Sequence, residues 1–317
     1  MTAVANEALG LTITVQGEVA QPAAPERAGQ PDYASGKRFH AALTAAYRFE
    51  EIDPAVTAGR TSLIAFPGQP HPIQALLAEA GGGSLPIASS LEAPAPDRAP
   101  RRALIWSADN DLFAGFEADA VQQRFEAAGI ACDRRSGIGA RPEDFLRAFA
   151  DPVFDIVWVS GHGEIDHWRH GSACIVAGEG CLVGIDELVL RTPRERSRRL
   201  VMLNICDGGV AAVNGGIHRL GLAPMLARKS QATISHLWPV RPLVAAAFGV
   251  LLADGIAGGV GFFKAYEEAL QAIRAPSGQV TAAVARIVPG AGLIERLEAT
   301  DLETDNIFHW GSAAFFE

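Results

Sequence analysis

From residue 102 onward, short apolar runs alternate with segments in which apolar residues recur at helical spacing. The runs at residues 103–108, 154–160 and 199–205 are almost continuously apolar, which is typical of strands that are covered on both faces. The intervening segments predict helical crossovers between parallel strands. The pattern therefore predicts an α/β protein, a three-layer α/β/α sandwich with a mostly parallel central sheet.

Further elements follow from the same pattern. A helical repeat of apolar residues ends at Gly129, a residue type that often terminates a helix. Pro142 stands at the start of another predicted helix. We also expect strands at 130–133 and 232–237, helices at 144–150 and 220–228, and a hairpin formed by the segment GSACIVAGEGCLV.

The first 60 residues differ from the rest of the chain. Residues 11–19 alternate like a strand, a linker rich in Pro, Ala and Gly follows, and a helix is predicted at 36–51. We expect residues 1–60 to form a regulatory segment or one packed on the core. Residues 61–317 would then form the main domain.

Composition limits the classes of partner. The chain has 317 residues, with 27 Lys and Arg against 36 Asp and Glu, and its net charge of -9 does not favour nucleic acid. Residues 243–263 are long enough to span a membrane, but Asp254 at their centre would cost about 2.5–3.5 kcal/mol there. We therefore expect no membrane span, and instead two packed helices joined at Asp254 and Gly255.

The N-terminal residues and the cysteine pattern indicate the cellular compartment of the protein. The first residues, MTAVANEALG, lack the basic and apolar regions of a secretory signal. The four cysteines include no C-x-x-C pair, which argues against a disulfide framework. We expect a cytoplasmic protein with reduced thiols.

Two predicted strands end in residues that can carry chemistry. His162 follows the strand at 154–160, and Cys206 follows the strand at 199–205. Sites of open parallel sheets lie beyond the carboxyl ends of the strands, so adjacent strands would bring the two side chains together. A thiol attacks a carbonyl as the thiolate, and imidazole is a suitable base near neutral pH. The pair predicts a nucleophile, Cys206, with a general base, His162.

The motifs around these residues resemble a known family. VWVSGHG, LVMLNICDGG and ATISHLWPV, with an upstream AFPG and a closing HWGSAAFF, are similar in order to the motifs of the CHAT-domain family of bacterial caspase-like cysteine peptidases. The resemblance covers about residues 60–317. It implies a caspase-like fold and a protease with no cofactor.

The resemblance also implies roles for individual residues. The amides of Gly163 and Cys206 would form an oxyanion hole, and His236, Leu237 and Trp238 would line the pocket for a substrate side chain. Asn204 would bind substrate, but some relatives have an acid there that selects a basic side chain, so we predict no cleavage after Arg or Lys. Asp207 is a further substrate contact, or an acid that complements a helix dipole. Arg241 stands where relatives often have an acid.

The implied partners are a dedicated protein substrate and an activating or regulatory partner chain, in a regulated bacterial signalling, defence or cell-death system. Three alternatives remain open. The domain could be a catalytically silent CHAT-like interaction scaffold, or a small-molecule thiol hydrolase with a closed pocket. A zinc site could form from the string His167, His170, Cys174 and Cys181, although its spacing fits no compact structural motif and a hairpin with core-facing cysteines is preferred.

Overall fold

The computed structural model describes residues 2–6, 11–15, 73–79, 84–89, 93–108, 112–166, 172–193, 198–206, 208–209, 212–214, 217–219 and 221–317. Its strands are β1 (Thr2–Asn6), β2 (Leu11–Val15), β3 (Arg102–Ser107), β4 (Ala131–Ser136), β5 (Ile156–Ser160), β6 (His162–Asp166), β7 (Ser172–Gly178), β8 (Cys181–Gly184), β9 (Arg199–Asn204), β10 (Ala212–Asn214), β11 (Ile217–Arg219), β12 (Gln231–His236) and β13 (Ala313–Phe316). The helices are α1 (Ile73–Glu79), α2 (Leu112–Ala127), α3 (Pro142–Ala150), α4 (Ile185–Arg191), α5 (Leu222–Leu226), α6 (Pro242–Ala257), α7 (Phe262–Ile273), α8 (Ser277–Ile287), α9 (Gly292–Glu298) and α10 (Ile307–Trp310).

Six strands form the central sheet in the order β13-β12-β9-β5-β3-β4. The neighbours from β12 to β4 pair in parallel, and β13 joins β12 in the antiparallel sense. The predicted adjacency of the two strands before His162 and Cys206 is confirmed, because β5 and β9 pair directly and place Ser160 opposite Asn204.

The sheet is covered on both faces. Leu104, Val157 and Val201 lie side by side and face a core formed with α3, α4 and α5. The next residues along each strand face a second core formed with α2, α6, α7 and α8; they are Ile105, Trp158 and Met202. The predicted α/β/α sandwich with a mostly parallel sheet is therefore confirmed.

Smaller sheets complete the described chain. A three-stranded antiparallel sheet, β6-β7-β8, packs its inner face against the first of these cores, the one formed with α3, α4 and α5, through Ala173, Ile175, Ala177, Cys181 and Val183. This sheet contains the predicted hairpin GSACIVAGEGCLV. Two hairpins, β1-β2 and β10-β11, stand as separate two-stranded sheets. The predicted strand at 11–19 is observed as Leu11–Val15, and the predicted helix at 36–51 lies outside the described residues.

The predicted break at Asp254 and Gly255 is wrong. Helix α6 continues through both residues to Ala257, and the chain turns at Gly258 and Gly259, where Gly259 has a positive φ of 83°. Asp254 instead pairs with Arg124 on α2 at 2.6 Å. Gly255 serves helix packing, since a Cβ there would lie 3.0 Å from the Cβ of Ala265 on α7. None of the helices within the described ranges is both long and apolar enough to cross a membrane.

Candidate active site

The carboxyl ends of the parallel strands form a buried polar row. Ser107, Ser160 and Asn204 end β3, β5 and β9 in register, and His236 ends β12. All four side chains are buried. Because the chain leaves the sheet immediately after these residues, the segments that carry His162 and Cys206 start side by side on a fixed platform.

These two segments contact each other through Gly163 and Cys206. The Gly161 N–H donates to the Asn204 carbonyl oxygen at 3.3 Å. A Cβ at Gly163 would overlap the carbonyl oxygen of Cys206 and lie 3.1 Å from a methyl carbon of Ile205. Glycine is therefore required at position 163 for the close approach of the two backbones.

Beyond this contact, the two candidate catalytic residues differ in exposure. His162 is exposed and begins β6 instead of lying in a loop, and Cys206 is half-buried. Both are accessible at the sheet edge, as an attack on an external carbonyl requires. Cys132 is different, because burial and the nearby Glu126 raise its pKa to about 11, which leaves that thiol protonated at neutral pH.

The turn after Cys206 is anchored to β12. The Gly209 N–H donates to the His236 carbonyl oxygen at 2.9 Å, and the Gly208 carbonyl accepts from the Ala223 N–H at 2.8 Å. A Cβ at Gly208 would overlap Oγ of Ser235. These contacts fix the backbone that carries the thiol. Asp207 lies outside the described residues, so its substrate contact stays a prediction.

A buried network links Asn204, His236 and Ser312. His236 Nε2 lies 2.5 Å from Asn204 Oδ1, and its Nδ1 lies 2.8 Å from Ser312 Oγ. Burial lowers the pKa of His236 to about 3, so the ring is neutral near pH 7. The amide oxygen can only accept, hence Nε2–H donates to it and Nδ1 accepts from the Ser312 hydroxyl. Asn204 Nδ2 donates in turn to the Ala245 carbonyl oxygen at 3.0 Å.

The structure does not support direct substrate contact by the side chains of Asn204 and His236. Each is buried and uses its polar atoms within the network that joins β9, β12, β13 and α6. Sequence reasoning gave no role to Ser312, although it lies in the closing motif HWGSAAFF, because its partner is 76 positions away in the chain. We assign these residues to the support of the Cys206 segment.

Leu237 and Trp238 are also buried in this arrangement. The Trp238 indole N–H donates to the Phe308 carbonyl oxygen at 2.8 Å, and the two rings stack with centroids 5.9 Å apart. Leu237 packs beneath the turn, since a Cβ at Gly209 would lie 3.1 Å from its Cδ2. Leu237 thus lies behind the nucleophile segment and Trp238 packs on Phe308, and their part in substrate binding stays a prediction.

Arg241 has an acidic partner within the fold. Its guanidinium lies 2.8 Å from a carboxylate oxygen of Glu303, and Glu303 also approaches the buried His309 at 3.3 Å. Burial, together with the positive charge of Arg241, lowers the pKa of His309 to about 4. The family resemblance implies an acid at position 241. This chain has Arg241 there, and an acid from another segment, Glu303, pairs with it.

The described ranges hold no group of three or more His, Cys, Asp or Glu side chains placed to bind a metal ion. Of the residues in the zinc alternative, His167 and His170 lie outside those ranges. Cys181 is fully buried in the core, and Cys174 is half-buried. The core-facing position of Cys181 agrees with the hairpin interpretation of this segment. Cys174 alternates along β7 with the buried Ala173 and Ile175, so the expectation of a core-facing side chain is wrong for Cys174.

Fold and site define a three-layer α/β/α protein with a cysteine and a histidine at adjacent strand ends of a mostly parallel sheet. Residues 78–316 match the CHAT domain, so the chain belongs to the CHAT-domain family. No curated protein matches the chain significantly.

Solved structures similar to this chain include two of a bacterial proteinase. One is the Arg-specific cysteine proteinase gingipain R, at 13% identity and a TM-score of 0.43, covering 71% of this chain and 48% of that one. Another is a complex of Porphyromonas gingivalis RgpB pro- and mature domains, at 12% identity and a TM-score of 0.39, covering 68% and 46%. The chain thus spans about half the length of these structures.

Proposed function

We propose that this protein is a caspase-like cysteine endopeptidase that cleaves a dedicated protein substrate. The observation that carries the proposal is the contact between Gly163 and the Cys206 carbonyl, which brings the histidine and cysteine segments together at the sheet edge. Membership of the CHAT-domain family supports the same activity. Both residues are accessible, which suits an external polypeptide.

In the proposed mechanism, His162 takes the proton of the Cys206 thiol and the thiolate attacks the carbonyl carbon of the scissile peptide bond. The carbonyl π electrons move to the oxygen, and the amides of Gly163 and Cys206 are the proposed donors to that oxyanion. When the intermediate collapses, the C–N bond breaks and protonated His162 gives its proton to the leaving amine. Water, deprotonated by His162, then hydrolyses the thioester and restores the thiol. No cofactor takes part in these steps.

The proposed setting is a cytoplasmic, regulated bacterial signalling, defence or cell-death system. Family membership and the sequence motifs support this setting. An activating or regulatory partner chain would control cleavage, or residues 1–60 would do so. The buried network behind Cys206 suits such control, because a shift of β12 or β13 would be transmitted to the nucleophile segment through His236.

The test compares new protein N termini in cells that make the wild type, Cys206→Ala or Cys132→Ala. Cys132 is a matched control because it is also half-buried but lies on β4 with a protonated thiol. We expect a small set of termini that Cys206→Ala abolishes and Cys132→Ala preserves. Identical termini in all three strains, with the activating condition present, would reject the protease and favour the interaction scaffold.

A further inference from the structure

The small sheet β6-β7-β8 presents one row of side chains beside His162. His162 pairs opposite Val176, and Val176 pairs opposite Leu182 on β8. Directly opposed residues of an antiparallel sheet project from the same face. The next row, which includes Ile175 and Val183, is fully buried against the core. Val176 and Leu182 therefore lie on the outer face together with the proposed general base.

This outer face is apolar next to His162. Leu182 is 52% exposed, and Val176 is partly exposed. Ile138, which is 78% exposed, follows Gly137, whose backbone packs against Ala177 and Gly178 at the far end of β7. We call Val176, Leu182 and Ile138 the apolar row. Single exposed apolar residues are ordinary, whereas several of them grouped near a reactive group indicate a binding surface.

The apolar row leads away from Cys206. At one end of the small sheet, Gly163 on β6 contacts the Cys206 carbonyl beyond β9. At the other end, the Trp106 indole N–H of β3 donates to the Ala177 carbonyl oxygen at 2.8 Å, and Gly178 packs against Gly137 beyond β4. Since the central sheet runs β9-β5-β3-β4, the row and the nucleophile lie on opposite sides of the His162 segment.

The chemistry of the proposed protease indicates which part of the substrate would lie over the apolar row. The imidazole must return a proton to the leaving amine, so it stands on the side of the scissile bond that carries the new N terminus. We propose that the apolar row is a subsite for an aliphatic or aromatic side chain just after the scissile bond; this inference rests on the proposed function. Leu182 lies two strand spacings, about 10 Å, from the His162 backbone. An extended substrate covers that distance in about three residues, which places the apolar side chain at the second or third position.

The experiment uses the full chain and a peptide library made by digesting a complete proteome. New N termini are sequenced for the wild type, Cys206→Ala, Leu182→Asp and the control Leu190→Asp. Leu190 is 81% exposed on α4 and is not part of the apolar row. Both Asp substitutions replace exposed side chains, so the fold is retained, and circular dichroism checks this.

We expect termini that depend on Cys206 and are enriched in Leu, Ile, Val, Phe or Met at their second or third residue. Leu182→Asp should remove this enrichment and slow the cleavage of an apolar-bearing peptide about tenfold, whereas Leu190→Asp should change neither. Cys206-dependent termini without the enrichment, or with enrichment unchanged in Leu182→Asp, would overturn the subsite and leave the protease intact. The absence of Cys206-dependent termini, with the activating condition of the cellular experiment present, would overturn both.

Discussion

Gly163 lies so close to Cys206 that the two residues share one packed backbone junction, with no room for a Cβ between the glycine and the carbonyl oxygen. Glycine at position 163 therefore serves by its lack of a side chain, in addition to its conformational freedom. The junction ties the start of β6 to the end of β9. It fixes how closely the backbones that carry the proposed base and nucleophile approach each other.

Gly163→Ala should remove activity without unfolding the domain. The added methyl would push the His162 and Cys206 segments apart, and a displacement of about 1 Å costs on the order of 100-fold in rate. Peptide cleavage and a thermal melt measure the two effects. Gly184→Ala on β8 is the matched control, because its Cβ would meet only a Glu187 oxygen at 3.6 Å. Equal activity of the two variants would contradict the steric role.

Cys206 should react with iodoacetamide at pH 7 faster than Cys132. A neighbouring imidazole favours the thiolate, whereas burial and Glu126 keep Cys132 protonated by raising its pKa to about 11. His162→Ala should slow labelling of Cys206 about tenfold or more and leave Cys132 unchanged, as measured by peptide mass spectrometry. If Cys206 is labelled at the same rate in the wild type and in His162→Ala, the two groups do not cooperate.

Asn204 and His236 should be energetically coupled. Asn204→Ala leaves the His236 Nε2–H and the Ala245 carbonyl without their buried partner, which costs about 1–3 kcal/mol in the free energy of unfolding. In a double-mutant cycle with His236→Ala, we expect a coupling energy of about 0.5–3 kcal/mol from urea unfolding. Strictly additive losses would mean that the 2.5 Å contact contributes nothing to stability.

Two helical glycines should respond in opposite ways to alanine. At Gly115 on α2 a Cβ would meet nothing within 4 Å, so Gly115→Ala should stabilise the protein by about 0.5–1 kcal/mol through helix propensity. At Gly249 on α6 it would lie 2.5 Å from Oε1 of Glu117, the buried acceptor of the Trp158 indole N–H. Gly249→Ala should therefore cost about 1–3 kcal/mol. Thermal melts compare them, and equal signs would refute the packing argument.

Local patterns were sufficient to predict the central sheet. Strands β5, β9 and β12 lie within a residue or two of the predicted runs, because a strand buried on both faces is apolar at nearly every position. The same patterns placed His162 and Cys206 on neighbouring strand ends. These inferences needed only the order of residues along the chain.

The remaining features depend on contacts between distant residues. The network of Asn204, His236 and Ser312 unites three strands, and no local signal distinguishes its members from residues that contact substrate. The continuation of α6 through Gly255 depends on Ala265 of the next helix. The start of β6 at His162 depends on pairing with β7. Each of these features depends on a second element that local sequence patterns do not identify.

The last prediction concerns the pH dependence of stability through His236. Its pKa falls from an ordinary 6.5 to about 3 in the folded protein because the ring is buried. Between these values the unfolded chain binds a proton that the folded chain does not, so this contribution to stability is complete above pH 6.5 and is lost as the pH falls toward 3. The loss should approach about 1.4 kcal/mol per pH unit below pH 6.

Urea unfolding at pH 7, 6 and 5 would measure this loss in the wild type and in His236→Gln, which cannot titrate in this range. Carboxylates and His309, whose pKa is lowered to about 4, also make both proteins weaker in acid. The difference between the two proteins isolates His236. We expect the wild type to be the more stable at pH 7 and its advantage to shrink steadily toward pH 5. A constant advantage across the range would mean that His236 does not change its protonation on unfolding, contrary to its burial between Asn204 and Ser312.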